Sequence, residues 1–200
     1  MTEQPQPNPE LKQAEHPRPA PRQHPTDLLK QAALVEFAAH GYEGASLQEI
    51  ASKAGYTKAN LLYHFGSKQG LFEQAVLEAL GAFEELVDSL QHLDIGTEDR
   101  RLVDPFVDFL LQHRLAVHMF VNHRSTGAGE FIATRVDPII ERLVAALSED
   151  DSDRALRIAI GLAGVTYCLA NENIPGEARM QEPTRDELVD ALTFISATRR

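Results

Sequence analysis

Lys58, Asn60, Tyr63 and His64 fall close together in the stretch Lys58-Ala-Asn-Leu-Leu-Tyr-His-Phe65. On a helix, Leu61 and Phe65 share one inward face, which leaves those four side chains with outward directions. Each type has a way of meeting DNA. Lysine pairs with guanine or phosphate, asparagine bonds an adenine edge, and tyrosine reaches a phosphate or a thymine methyl. The chemistry works only if a short helix projects into the major groove while its predecessor crosses the phosphate backbone.

The surrounding sequence supplies elements for that geometry. Ser46-Leu-Gln-Glu49 is a capping box, in which hydroxyl and carboxylate each satisfy an orphan backbone N–H. The helix it opens carries Leu47, Ile50, Ala51 and Ala54 on one face and ends at Gly55. Ala54-Gly-Tyr-Thr57 is the turn, and Thr57 caps the next helix through about His64. Upstream, Thr26 or Asp27 caps a first helix whose stripe includes Leu29, Ala33 and Phe37, with Gly41 as its stop. Three short helices within 27–65 therefore spell a helix-turn-helix. Ser67 then caps a long helix with Leu71, Phe72, Ala75, Val76, Ala79, Leu80, Phe83 and Val87 at 3-and-4 spacing.

The segment ALVEFAAHGYEGASLQEIASKAGYTKANLLYHFGSKQGLFEQAV resembles the N-terminal domain of the TetR family of bacterial transcriptional regulators. The matching positions are Phe37, Gly41, Tyr42, Ser46, Ile50, Ala51, Ala54-Gly55, Thr57, Leu61, Tyr63-His64-Phe65, Ser67-Lys68 and Leu71, covering about residues 27–77. The resemblance implies that Thr57, Tyr63 and Lys68 contact the DNA backbone, with Ser46 adding a contact from the second helix's N-terminus. It implies that Lys58, Ala59 and Asn60 face the groove, with His64 adjacent. Ser46 and Thr57 also cap helices, and the two roles are compatible because helix N-termini bind anions through the same N–H groups. Two positions depart from the family pattern. Tyr56 stands where a small aliphatic residue is usual, and it either packs as a core plug or leans toward the sugar-phosphate chain. Ala59 stands where glycine is frequent.

Past residue 67 the pattern predicts an acidic helical body, with helices near 98–112, 114–123, 127–148, 151–172 and 184–198. Thr184-Arg-Asp-Glu187 is a further capping box, while Pro105 and Pro138 mark kinks or breaks. The expected fold is all-α, about nine helices, with a helix-turn-helix domain over 26–66 and a helical bundle over 67–200. The family resemblance implies that this bundle dimerises and holds a small-molecule pocket. In the helix over 151–172, Ile158, Leu162, Val165 and Leu169 form one ridge, and Gly161, Gly164 and Cys168 form a small-residue ridge. Interior glycines suit close helix approach. With Leu188, Ala191, Leu192 and Ile195 they suggest a four-helix seam across a two-fold axis, or else a contact within the chain.

For the pocket, His118 and Asn122 lie one turn apart, as do Tyr167 and Asn171, although capping at a helix end would also explain Asn171. His113, His118 and His123 recur every five residues, about 140° off a shared face, so they make no metal edge. No metal or cofactor is expected.

Charge and composition fit this division. Residues 1–70 carry seven basic and seven acidic groups, while 71–200 carry twelve arginines against twenty-three acids. The whole net charge of −11 thus lies in the body, and only the front suits a polyanion. Residues 1–25 hold seven of the eleven prolines and read as a solvated tail. No apolar run approaches the ~18 residues of a membrane span. The start MTEQPQPNPE lacks a secretory pattern, so the chain reads as cytoplasmic. No nucleophile elbow, zinc-protease motif, phosphate loop or dinucleotide fingerprint occurs. The expected function is a ligand-responsive, homodimeric repressor on palindromic double-stranded DNA, released by a small-molecule effector. A helical binding dimer without specific DNA recognition is the alternative.

Overall fold

The computed structural model describes residues 24–90, 100–122, 127–148, 152–170 and 183–196. Readings that fall elsewhere, including the Pro-rich tail over 1–23, His123 and Asn171, lie outside the described residues.

The first helix, α1 (Pro25–Gly44), begins one turn's worth of chemistry earlier than its sequence suggests. His24 is the N-cap residue and Pro25 occupies the first turn, where its missing N–H would be an orphan anyway. Thr26 and Asp27 therefore do not cap. Asp27 lies in the first turn and pairs with Lys30 at 2.9 Å. Gly41 interrupts α1 with φ 73° and ψ 168°, the stop that its position implied, and a last short turn follows to Ala45.

Next come α2 (Leu47–Lys53), α3 (Lys58–Phe65) and α4 (Lys68–Leu90). Helix α4 buries Leu71, Phe72, Ala75, Val76, Ala79, Leu80, Phe83 and Val87, the stripe expected of it, and packs on α1. The body holds α5 (Arg100–Gln112), α6 (Arg114–Asn122), α7 (Gly129–Phe131), a π-helical turn (Ile132–Val136), α8 (Asp137–Ser148), α9 (Ser152–Ala170) and α10 (Arg185–Ser196). Taking 129–148 as one rod, the described residues form nine helices and no strand.

The prolines act differently. Helix α5 continues through Pro105. Pro138 lies two residues past the π turn, where its missing N–H leaves the i−4 carbonyl of Thr134 unclaimed and the backbone can widen. The capping box at Thr184 forms in full: the Thr184 N–H donates to Glu187 Oε2 at 2.8 Å and the Glu187 N–H to Thr184 Oγ1 at 3.3 Å. The Thr184 N–H and hydroxyl, both donating to Oε2, hold the Glu187 carboxyl below its ordinary range. Arg185 then forks onto α5, donating to Asp108 at 2.6 and 3.0 Å and to Asp104 at 2.9 Å.

One aromatic cluster joins head to body. Phe72 meets Phe37 and Tyr42 of α1 edge-on at 5.6 and 5.5 Å, and Phe131 of α7 at 5.8 Å. Gly127, just before α7, donates its N–H to Glu43 Oε1 at 2.9 Å. A Cβ at Gly127 would lie 2.7 Å from the Tyr42 ring, so only glycine lets this loop approach the end of α1.

Candidate nucleic-acid interface and effector site

The turn between α2 and α3 explains how the recognition surface is held. Gly55 adopts φ 79°, a left-handed conformation that glycine takes without a Cβ penalty. The Tyr56 N–H donates to Ala51 O at 2.8 Å and the Gly55 N–H to Ser52 O at 3.0 Å. This is a Schellman ending, which favours an apolar side chain just beyond the glycine packing back on the helix. Tyr56 does so: its ring packs against the core, which accounts for an aromatic at that position. Thr57 Oγ1 then accepts from the Asn60 N–H at 3.2 Å and opens α3.

Helix α3 is anchored by Leu61, fully buried, and by the half-buried Leu62 and Phe65. Lys58, Ala59, Tyr63 and His64 are exposed, Tyr63 to 84%, with its ring edge-on to His64 at 5.3 Å. Asn60 departs from the expected outward set. It is half-buried at the rim, and its Oδ1 is buried without a hydrogen-bond partner. Lys68 donates from Nζ to Glu43 O at 3.0 Å and lies over the Tyr42 ring at 5.2 Å. It thus ties the start of α4 to the end of α1 beside the reading surface.

Sequence reasoning missed the network that fixes α2 on α1. Glu36 is 2% exposed within the apolar side of α1 and pairs with Lys53 of α2 and, at 3.2 Å, with His40 Nδ1. Ser46 caps α2 by accepting from the Glu49 N–H at 3.4 Å, but its own N–H goes to Glu36 rather than closing the box with Glu49. The buried carboxylate needs donors more than an exposed one does. The Lys53 bond holds the Glu36 carboxyl below its ordinary range despite burial. A depressed folded-state pKa adds stability above the unfolded value and loses it as pH falls through the folded one. The head is therefore expected to weaken below about pH 4.5, the ordinary glutamate value. Urea midpoints measured against pH check this, and Glu36→Gln should flatten that acid limb.

In the body, a cavity of about 270 Å³ is enclosed by Phe83 of α4, Phe106 and Phe109 of α5, Phe120 of α6, and Leu162 and Thr166 of α9. Of the residues proposed from sequence for a ligand, His118, Asn122 and Tyr167 are not in its wall, and Asn171 lies outside the described residues. His118 Nδ1 and Asn122 Nδ2 face each other at 3.2 Å on the outer side of α6, because Val117, Phe120 and Val121 turn its other side inward. Tyr167 is 56% exposed, one helical step round from Thr166.

Of the two alternatives for the small-residue ridge, Gly161 takes the contact within the chain. A Cβ at Gly161 would lie 3.1 Å from Leu192 and 3.2 Å from Ile195, so that close approach joins α9 to α10 within the chain. Leu188 and Leu192 are buried there. Cys168 is half-buried and Gly164 opens to space. The outward stripe is instead Leu156, Ile160 and Tyr167 of α9, with Phe194 of α10 exposed to 75%. Among the described residues no group of His, Cys, Asp or Glu is arranged for a metal, and no helix is long and apolar enough to cross a membrane.

Residues 29–75 match the family model described as "Bacterial regulatory proteins, tetR family". The chain is similar to the biofilm operon icaADBC HTH-type negative transcriptional regulator IcaR of Staphylococcus aureus (strain Newman), 40% identical over 50 residues. That match spans 25% of this chain and about a quarter of the relative, 27%. Over 200 aligned residues it is 28% identical to the HTH-type transcriptional activator FasR of Mycolicibacterium smegmatis (strain ATCC 700084 / mc(2)155), covering 90% of this chain and 88% of that protein. Its fold resembles the crystal structure of AibR in complex with isovaleryl coenzyme A and operator DNA, with a TM-score of 0.62, 21% identity, and coverage of 85% of this chain and 96% of that one.

Proposed function

Because this chain belongs to the tetR family of bacterial regulatory proteins, DNA-binding transcriptional regulators, we propose that it is a homodimeric repressor released from a palindromic operator by a small molecule. The observation that carries the reading is the surface of α3. Lys58, Ala59, Tyr63 and His64 stand exposed on a helix whose entry is fixed by a Schellman turn and a threonine cap. Asn60 at the rim and Ser46, Thr57 and Lys68 around it complete the contact set, while Tyr56 packs behind them on the core. The repressing sign draws on IcaR, whose likeness covers 50 residues, although FasR is named an activator. The protein works by binding rather than catalysis, in the cytoplasm where its DNA is.

A dimer through the outward stripe of α9 and α10 sets two α3 helices ~34–36 Å apart, on successive major grooves. The effector occupies the apolar cavity and favours a different head spacing. A near-complete switch needs ~5.5 kcal/mol of differential affinity. Two connections carry it to the head: α4, which bears Phe83 at one end and Lys68 at the other, and the Gly127–Glu43 bond.

In-vitro selection of random duplex DNA at near-physiological salt tests the reading. An inverted repeat should be recovered. Lys58→Ala should weaken it by about 1–3 kcal/mol for each half-site if Lys58 reads a base, with relaxed preference at one position. No enrichment from a folded dimer would overturn the reading in favour of a helical module without specific DNA binding.

A further inference from the structure

We infer that the body cavity takes a free, uncharged molecule with a hydrocarbon body and one polar atom, and that Thr166 is the residue that reads that atom. This rests on the cavity being the effector site. Among the described residues fifteen form the wall, of which Thr166 alone is polar and none is a lysine, arginine or histidine. A carboxylate or phosphate drawn inside would lose its hydration with no cation to replace it, whereas a hydrocarbon gains by leaving water. The four phenylalanines set the shape. Phe83 and Phe109 stack at 5.2 Å and Phe106 lies at 6.4 Å from Phe109, so the wall presents flat aromatic faces.

Size narrows the class. A dry cavity of ~150 Å³ holds benzene, so one of about 270 Å³ holds a group of roughly six to ten carbons. Access lies on the outer side, where the wall residues Val121 and Val144 are also exposed.

Thr166 differs from two other helical threonines. Thr134 Oγ1 donates to Glu130 O at 2.8 Å and Thr193 Oγ1 to Val189 O at 2.7 Å, each absorbed by its own helix. Among the described residues the Thr166 hydroxyl has no hydrogen-bond partner, although it lines the cavity. An unpaired hydroxyl in an apolar wall discriminates well, because a ligand lacking the matching polar atom leaves it unsatisfied.

The test is calorimetric titration of the full chain with three molecules of one shape: cyclohexylmethanol, methylcyclohexane and cyclohexanecarboxylate at pH 7.5. The alcohol should bind tightest and the carboxylate at least tenfold more weakly than the alcohol. Thr166→Val should keep the hydrocarbon's affinity and erase the alcohol's advantage, while Thr166→Ser should restore it. Carboxylate binding equal to or tighter than alcohol binding, or an unchanged alcohol preference in Thr166→Val, would overturn the inference. Operator affinity, read separately in the same samples, separates this from the regulatory reading. Alcohol binding with operator affinity unchanged strikes the effector role and leaves the ligand class standing.

Discussion

Replacing Phe72 with alanine is expected to lower the unfolding free energy by about 3–5 kcal/mol, the range for deleting a buried phenylalanine. Phe72 is fully buried and is the only member of its cluster that touches all three of Phe37, Tyr42 and Phe131 edge-on among the described rings. Its loss leaves a cavity that α1, α4 and α7 must all move to fill, and helices fixed by other contacts collapse only partly. Phe72→Leu retains most of the volume and should cost about 1.5 kcal/mol or less. Denaturant midpoints with unchanged m-values measure both. Equal costs for the two variants would mean that the junction is loosely packed.

Ile160→Glu should dissociate the proposed dimer, raising its dissociation constant at least ~100-fold, about 2.7 kcal/mol at ~1.4 kcal/mol per decade. Ile160 is 60% exposed in the centre of the stripe bounded by Leu156 and Tyr167. Near a two-fold axis the new carboxylates approach each other, and like charges brought together without water cost several kcal/mol. The body's excess of acids offers little compensation. Because Ile160 packs on no core, the protomer's own stability should change by about 0.5 kcal/mol or less. Sedimentation equilibrium separates the outcomes. A folded monomer with weakened operator binding is the expected result, and an intact dimer would place the seam elsewhere.

Local order was legible in the sequence because it depends on few neighbours. Ser46, Thr57 and Thr184 cap the helices that their types announced, and Gly41 and Gly55 take the conformations that end a helix. The choice left open at Tyr56 turned on one backbone bond, from its N–H to Ala51 O, which no pattern displays. Longer-range features were hidden for definable reasons. Glu36 sits beside Phe37 on α1, and nothing local says that Lys53, seventeen residues on, will meet it. Helix α9 is apolar on two sides, so periodicity gives it two faces without saying which is inward. Gly161 packing on Leu192 decides it. Likewise a cavity wall and a filled core have the same composition, and Phe83, Phe106, Phe109 and Phe120 read equally as either.

The outward stripe on α9 and α10 also has a consequence for how much protein a cell must make. A lone protomer keeps Leu156, Ile160, Tyr167 and Phe194 in water, a hydration cost that the second copy of the proposed dimer would remove. Below the pairing constant, doubling the chain's abundance then roughly quadruples the paired form, and only that form spans two grooves. Occupancy of the operator would rise as a threshold in dosage rather than in proportion to it. A twofold fall through growth or proteolysis could then relieve repression without any change in the effector.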